Sequence, residues 1–157
     1  MRKGFNTIEV FIVVLFFGIV LSVLYMTTAH FLHFKEIDYD AIRINDVMAI
    51  SNALSVSKVD NLGKYIDYIE NLSPTVALMI GQSSLLSSVD CVVPVSGNIE
   101  LDYLVKDGYL PQVPINPSEN NNWNNEYTGY YLLKNDDHTL TVGACEYDGQ
   151  ERIEVTR

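Results

Sequence analysis

Positive charge is scarce in this 157-residue chain: ten Lys and Arg stand against twenty Asp and Glu, a formal net charge of −10. Two of the ten, Arg2 and Lys3, open the chain, so beyond Phe34 eight basic residues face nineteen acidic ones, with no basic cluster. Affinity for a phosphate backbone comes mainly from Lys and Arg that neutralise phosphates, so no direct nucleic-acid binding is expected.

Motifs that carry chemistry are also missing. There is no P-loop, dinucleotide fingerprint, H-E-x-x-H or G-x-S-x-G, although serines crowd positions 83–88. Of three histidines, His30 and His33 lie three apart on an emerging helix and His138 falls in a turn, which offers no third ligand for a site needing three or four. Asp136 and Asp137 read as turn residues that hydrogen-bond locally. No enzyme, no metal and no cofactor are expected.

Only two cysteines occur, Cys91 and Cys145. An oxidising compartment permits a bridge between them, closing a loop of about 55 residues. The alternation in LTVGACE, however, puts Leu140, Val142 and Ala144 on one face and Cys145 on the other, so an isolated thiol stays open beside the disulfide.

What the chain does have is one long apolar run. From Val10 to Phe34 there are 25 residues without Asp, Glu, Lys or Arg, enough helix at about 1.5 Å per residue to cross a bilayer core of about 30 Å. Its length, the short basic start and the missing small-residue cleavage site set it apart from an ordinary signal peptide. Arg2 and Lys3 place the N-terminus in the cytoplasm, by the positive-inside bias, and the chain after Lys35 outside it. A single-pass protein of the cytoplasmic membrane is expected. Just before the run stands Glu9, a carboxylate costing about 2.5 kcal/mol or more in the bilayer unless it finds a partner. A simple signal anchor with Glu9 at the interface near Arg2 and Lys3 is one reading.

Beyond Phe34, Ile37, Ala41, Ile44, Val47, Met48, Ile50 and Leu54 recur every three or four residues among Glu36, Asp38, Asp40, Arg43, Asn45 and Asp46. This stripe continues the helix to about residue 60, where Asp60-Asn61-Leu62-Gly63 supplies a stop with Gly63 as C-terminal cap. Residues 64–72 read as a short helix, and Ser73-Pro74 as a new N-cap and first-turn proline. Residues 75–89 leave helix and irregular loop both open. Asn98 to Lys106 reads as a short helix, and prolines 111, 114 and 117 force residues 109–117 to be extended. Tyr127 to Lys134 and His138 to Tyr147 read as a hairpin around Asn135-Asp136-Asp137, with a third strand from Glu151 to Val155 after a turn at Asp148-Gly149. The order is α+β: a long N-terminal helix, transmembrane in its first half and amphipathic in its second, packed on a small C-terminal antiparallel sheet.

The start Arg2-Lys3-Gly4-Phe5, followed by Ile8-Glu9-Val10 and a long aliphatic helix, resembles the class III signal of type IV pilins and type II secretion pseudopilins, the prepilin-type N-terminal methylation motif. The resemblance implies that a prepilin peptidase cuts after Gly4 and leaves Phe5 as an N-methylated first residue. It also implies that Glu9 meets the Phe5 amine of a neighbouring subunit during assembly. A buried carboxylate is tolerable when such a cation neutralises it. Asn6, Thr7 and Met26 depart from the usual pattern, Met26 standing where many major pilins carry a kinking proline. Further on, Leu104-Val105, Gly108-Tyr109-Leu110, Val113-Pro114, Asn116-Pro117, Tyr130-Tyr131 and Gly143-Ala144 look like the layout of short major pseudopilins, with Asn116 in place of the usual Asp. Some relatives bind calcium here; this chain offers only Asn-rich 120–125 with Glu119 and Glu126, a weaker oxygen set that reads better as a solvated loop.

The implied organisation is a leader at 1–4, an assembly helix at 5–34 and an exported head at 35–157. The head comprises the second half of the helix (35–60), an irregular middle (61–126) and the sheet (127–157). The implied function is a structural subunit of a type IV pilus or type II secretion-like pseudopilus. Its partners would be other pilins in a homo- or hetero-oligomeric filament, the prepilin peptidase, an assembly platform and the inner membrane. It would sit in a periplasmic or extracellular filament after assembly. The alternative is a minor or tip pilin acting in adhesion or DNA uptake, for which Trp123, its asparagines, Tyr127, Tyr130 and Tyr131 would form an exposed patch.

Overall fold

A computed structural model describes residues 7–82, 91–118, 123–149 and 151–157, with backbone alone at residues 9 and 28–38. The chain divides into two units, Met1–Ile37 and Asp38–Arg157. Helix α1, Thr7–Asp60, enters both. In the first unit its described side chains from Val10 to Thr27 are all exposed.

In the second unit the rest of α1 is followed by α2 (Asp67–Glu70), β1 (Ala77–Ile80), β2 (Val95–Ile99), α3 (Asp102–Lys106), β3 (Tyr130–Lys134), β4 (Leu140–Ala144) and β5 (Glu154–Thr156). The strands form one sheet in the order β2-β1-β3-β4-β5. β1 pairs with β2 in parallel, and the remaining pairs are antiparallel. The fold is α+β, and the expected three-stranded meander is its β3-β4-β5 part. Two strands extend it from 61–126, which is therefore not irregular throughout. Ser73-Pro74 leads into β1 and opens no helix, and the helix expected from Asn98 begins at Asp102, because Val95–Ile99 is spent on β2. Both added strands are short. Gly97 and Asn98 weaken the β signal of β2, whose parallel pairing to β1 depends on chain brought from elsewhere.

Period-two alternation gives the sheet two apolar faces. Ile80, Tyr130, Leu132, Leu140, Val142 and Ala144 pack with Val47, Ile50, Ala53 and Leu54 of α1. On the other face Ala77, Met79, Tyr131 and Cys145 form a second cluster, joined by Trp123, Tyr127 and Leu133. Gly143 on β4 lies under the Tyr131 ring, where a Cβ would come within 2.3 Å of Cζ. This close approach requires glycine.

The buried stripe of α1 runs through Arg43, Val47, Ile50, Leu54 and Ser57, while Ile44 and Met48 stay 46% and 41% exposed. The sequence stripe was therefore rotated: Arg43, placed with the polar residues, is on the inner face. The helix ends near the expected residue, but by a different residue's conformation. Leu62 N–H donates to Val59 O at 3.2 Å and Gly63 N–H to Lys58 O at 2.8 Å, the paired bonds of a Schellman cap. The left-handed position usually given to glycine is thus occupied by Leu62, with φ +58°, and Gly63 follows it.

Candidate functional site

Val10–Thr27 is long and apolar enough to cross a membrane. Eighteen residues at about 1.5 Å span about 27 Å, close to a hydrocarbon core. Phe11, at 69% exposure, is typical of a segment that keeps its large apolar side chains uncovered. Polar side chains inside it satisfy themselves: Ser22 Oγ donates to Ile19 O at 2.8 Å, and Thr27 Oγ1 to Leu24 O at 2.9 Å. Gly4 and Phe5, and the side chains of Glu9, His30 and His33, lie outside the described residues.

The second unit holds an arginine-centred cluster that sequence reading missed. Arg43, 2% exposed, uses every arm of its guanidinium. Nε donates to Asn116 Oδ1 at 2.9 Å, Nη2 to Pro117 O at 2.9 Å, and Nη1 to Asp40 Oδ1 at 2.7 Å and to Asp148 Oδ2. Glu146 adds a looser ion pair at 3.6 Å. Burial disfavours the charged guanidinium, but the Asp148 and Asp40 hydrogen bonds and charges outweigh it and hold its pKa above the ordinary value. Asp40 also accepts from the Asp148 and Gly149 N–H groups. One helical cation thus fixes the Asn116-Pro117 segment and the Asp148-Gly149 turn together. The fixed fork suits this role better than a lysine would. A polar residue at the inner-stripe spacing i, i+4, i+7 with Val47 and Ile50 was the signal that could have found it.

The cluster bears on the calcium expectation. Asn116 spends its oxygen on Arg43 and its amide on Gly129 O at 3.0 Å. Asn124 Oδ1 accepts from the Glu126 and Tyr127 N–H groups at 2.8 and 3.2 Å, a local turn. Positions 119–122 lie outside the described residues. Among the described residues no group of three or more His, Cys, Asp or Glu is placed to hold a metal.

Cys91 and Cys145 form a disulfide across 54 residues of sequence, with Cα atoms 4.4 Å apart. Cys145 faces away from α1, as alternation required, and Cys91 meets it on that face. The aromatic residues considered for a recognition patch are core residues instead. Tyr130 and Tyr131 are buried, and half-buried Trp123 and Tyr127 pack on the second cluster. Tyr130 Oη donates to Asp46 Oδ2 at 2.6 Å, and Tyr131 Oη to Glu154 Oε2 at 2.9 Å. Burial first, then the partner carboxylate, pushes both phenols well above the ordinary tyrosine range. Burial also raises the Asp46 pKa, which the Tyr130 hydrogen bond partly offsets.

No family model matches the chain, and no solved structure matches it. Over 158 residues, covering 99% of this chain and 89% of the relative, it is 29% identical to the protein named Type II secretion system core protein G of Vibrio cholerae serotype O1. This similarity supports the pilin and pseudopilin reading. It is compatible, with the apolar helix, with a membrane-anchored protein.

Proposed function

We propose that this chain is a structural subunit of a type II secretion-like pseudopilus, inserted in the cytoplasmic membrane with its head outside. A prepilin peptidase trims it after Gly4, and it assembles with other pilins through α1. The observation that carries the reading is the contrast within α1: Val10 to Thr27 leave their apolar side chains uncovered, whereas Val47, Ile50, Ala53 and Leu54 bury theirs in the head. Such an exposed apolar surface requires a bilayer or neighbouring helices around it. The near full-length similarity to a type II secretion core protein favours that machine over a type IV pilus.

Assembly follows from the same chemistry. In the membrane the segment is solvated by lipid; on extraction by the assembly platform, helices of other copies replace the lipid around it. Glu9 pairs with the Phe5 amine of a neighbour, which neutralises two charges that neither copy satisfies alone. Burial of the aromatic group argues against the tip-adhesin alternative, since Tyr130 and Tyr131 offer no surface to a ligand.

The test is Glu9→Ala in cells that carry the assembly machinery, followed by membrane fractionation and electron microscopy of sheared filaments. Membrane insertion at the wild-type level with loss of filaments is expected. Filaments in normal number would overturn the role of Glu9, and an unchanged protein that never enters filaments would leave only a signal anchor.

A further inference from the structure

The parallel pairing of β1 with β2 sets a problem of connection. Antiparallel neighbours can be joined by a tight turn, but a parallel pair needs a crossover of a dozen or more residues, usually a helix packed on the sheet. Residues 81–94 make that crossover here, and its described parts, 81–82 and 91–94, hold no helix. The fastening is covalent instead.

β4 lies two antiparallel pairings from β1 and so runs parallel to it. Cys145, directly after β4, therefore stands at the end of the sheet where β1 finishes, whereas Val95 pairs with Ala77, where β1 begins. The bridge to Cys91 ties the crossover down at the far end. Val92 and Val93 then lead back toward β2 on the second face, packed against the cluster of Ala77, Met79, Tyr131 and Cys145. One backbone bond helps, from Val92 N–H to Cys145 O at 3.1 Å.

Little else holds the start of β2. It is an edge strand with one neighbour, its register to β1 shifts between Ala77 and Met79, and Ser96, Gly97 and Asn98 give it no apolar side chain to pack. Its end is different, because Ile99 and the following Leu101 and Leu104 are buried in the core with α1. That half stays anchored without the bridge.

We propose that Cys91–Cys145 is a redox latch on this edge of the sheet: closed, it holds the crossover and the start of β2 in place; open, residues 91–97 leave the sheet while β3 and β4 stay on α1. Opening is a two-electron reduction by a dithiol. A thiolate of the dithiol attacks Sγ of Cys91, the half-buried partner, since Cys145 is 1% exposed. The sulfur–sulfur bond breaks, and Cys145 leaves as a thiolate and takes up a proton. The second thiol of the reductant then displaces Cys91, which leaves two cysteine thiols and an oxidised dithiol. Opening uncovers Ala77–Ile80, a strand without a charged side chain. A bare edge of that kind templates pairing with other chains, so the closed latch also protects the sheet. The device belongs to the head alone and does not depend on filament assembly.

The test is hydrogen–deuterium exchange mass spectrometry on the full chain in detergent micelles, before and after dithiothreitol, with free thiols counted by alkylation. Both cysteines should become alkylated, and exchange in residues 91–97 should accelerate at least about tenfold at short labelling times while 130–134 and 140–144 stay protected. Unchanged protection of 91–97 once both thiols are free would overturn the latch. Loss of protection in β3 and β4 along with 91–97 would overturn it too, since the bridge would then brace the whole head. A bridge that opens only under conditions that unfold the head would do the same. Cys91→Ala with Cys145→Ala provides the second arm: it should show the opened pattern without reductant and no further change when dithiothreitol is added. Protection of 91–97 in that variant at the level of the oxidised wild type would refute the proposal.

Discussion

Residues Val10 to Thr27 and the stripe Val47, Ile50, Ala53 and Leu54 belong to the same helix and are rich in the same aliphatic side chains, yet their surroundings are opposite. Phe11 is 69% exposed, whereas Val47 and Ile50 are fully buried. The difference shows where the molecule completes itself. The head supplies its own second layer, a sheet that covers one stripe of the helix. Among the described residues nothing covers the N-terminal segment, a surface suited to lipid or to other chains.

The sharpest way to break this comparison is to place charge on the uncovered segment. Leu15→Lys with Ile19→Lys should cost about 6 kcal/mol for insertion, at about 3 kcal/mol per lysine near the bilayer centre. The variant should be lost from the membrane fraction while any soluble protein keeps the near-ultraviolet circular dichroism of a folded head. Cys91→Ala with Cys145→Ala acts on the other region. Releasing a 54-residue span should lower head stability by about 4 kcal/mol in the chain-entropy model, read from chemical denaturation, without changing membrane association. Arg43→Met should cost about 3 kcal/mol, the low end for breaking a buried pair, because Asp40, Glu146 and Asp148 keep some access to water. Proteolysis should then cut first at the Asn116-Pro117 segment or the Asp148-Gly149 turn.

Tyr130→Phe is the smallest effect and carries a pH signature. Loss of the bond to Asp46 should cost about 1 kcal/mol near neutral pH. Asp46 has a raised pKa in the folded state, so its proton is bound more tightly there than in the unfolded chain. Its ionised form therefore opposes folding above that pKa, and stability is gained as pH falls through it. Without the tyrosine donor the pKa rises further. The penalty of the substitution should shrink as pH falls from 7 toward the ordinary carboxylate range, measured by thermal melts across pH. A penalty that grows on acidification would reverse this assignment.

How much of this was legible depended on how local each cause is. The apolar run, the end of α1 near residue 60 and the β3-β4 hairpin follow from periodicity and turn residues within short windows, and each stands where the sequence placed it. β1 and β2 were missed because their pairing is not local: β1 pairs with β3, some fifty residues away, and β2 pairs in parallel with β1, while the composition of both is mixed. Arg43 was assigned to the solvent face because arginine is seldom buried. The acceptors that make burial tolerable, Asn116, Pro117 and Asp148, lie 73 to 105 residues further on. Leu62 was passed over for Gly63 because glycine is the commoner left-handed cap, and only the backbone bonds decide between adjacent residues. Tyr130 and Tyr131 read better as sheet packing than as a patch, because aromatics are favoured in strands, and the sheet puts them on opposite faces, each against a cluster.

A role as filament subunit requires above all that the chain be trimmed after Gly4. The most direct measurement is intact-mass and N-terminal peptide mass spectrometry of the protein from cells with an active prepilin peptidase. The predicted result is a mature chain that begins at Phe5 and carries one N-methyl group. A chain that keeps Met1 to Gly4 in those cells would contradict it.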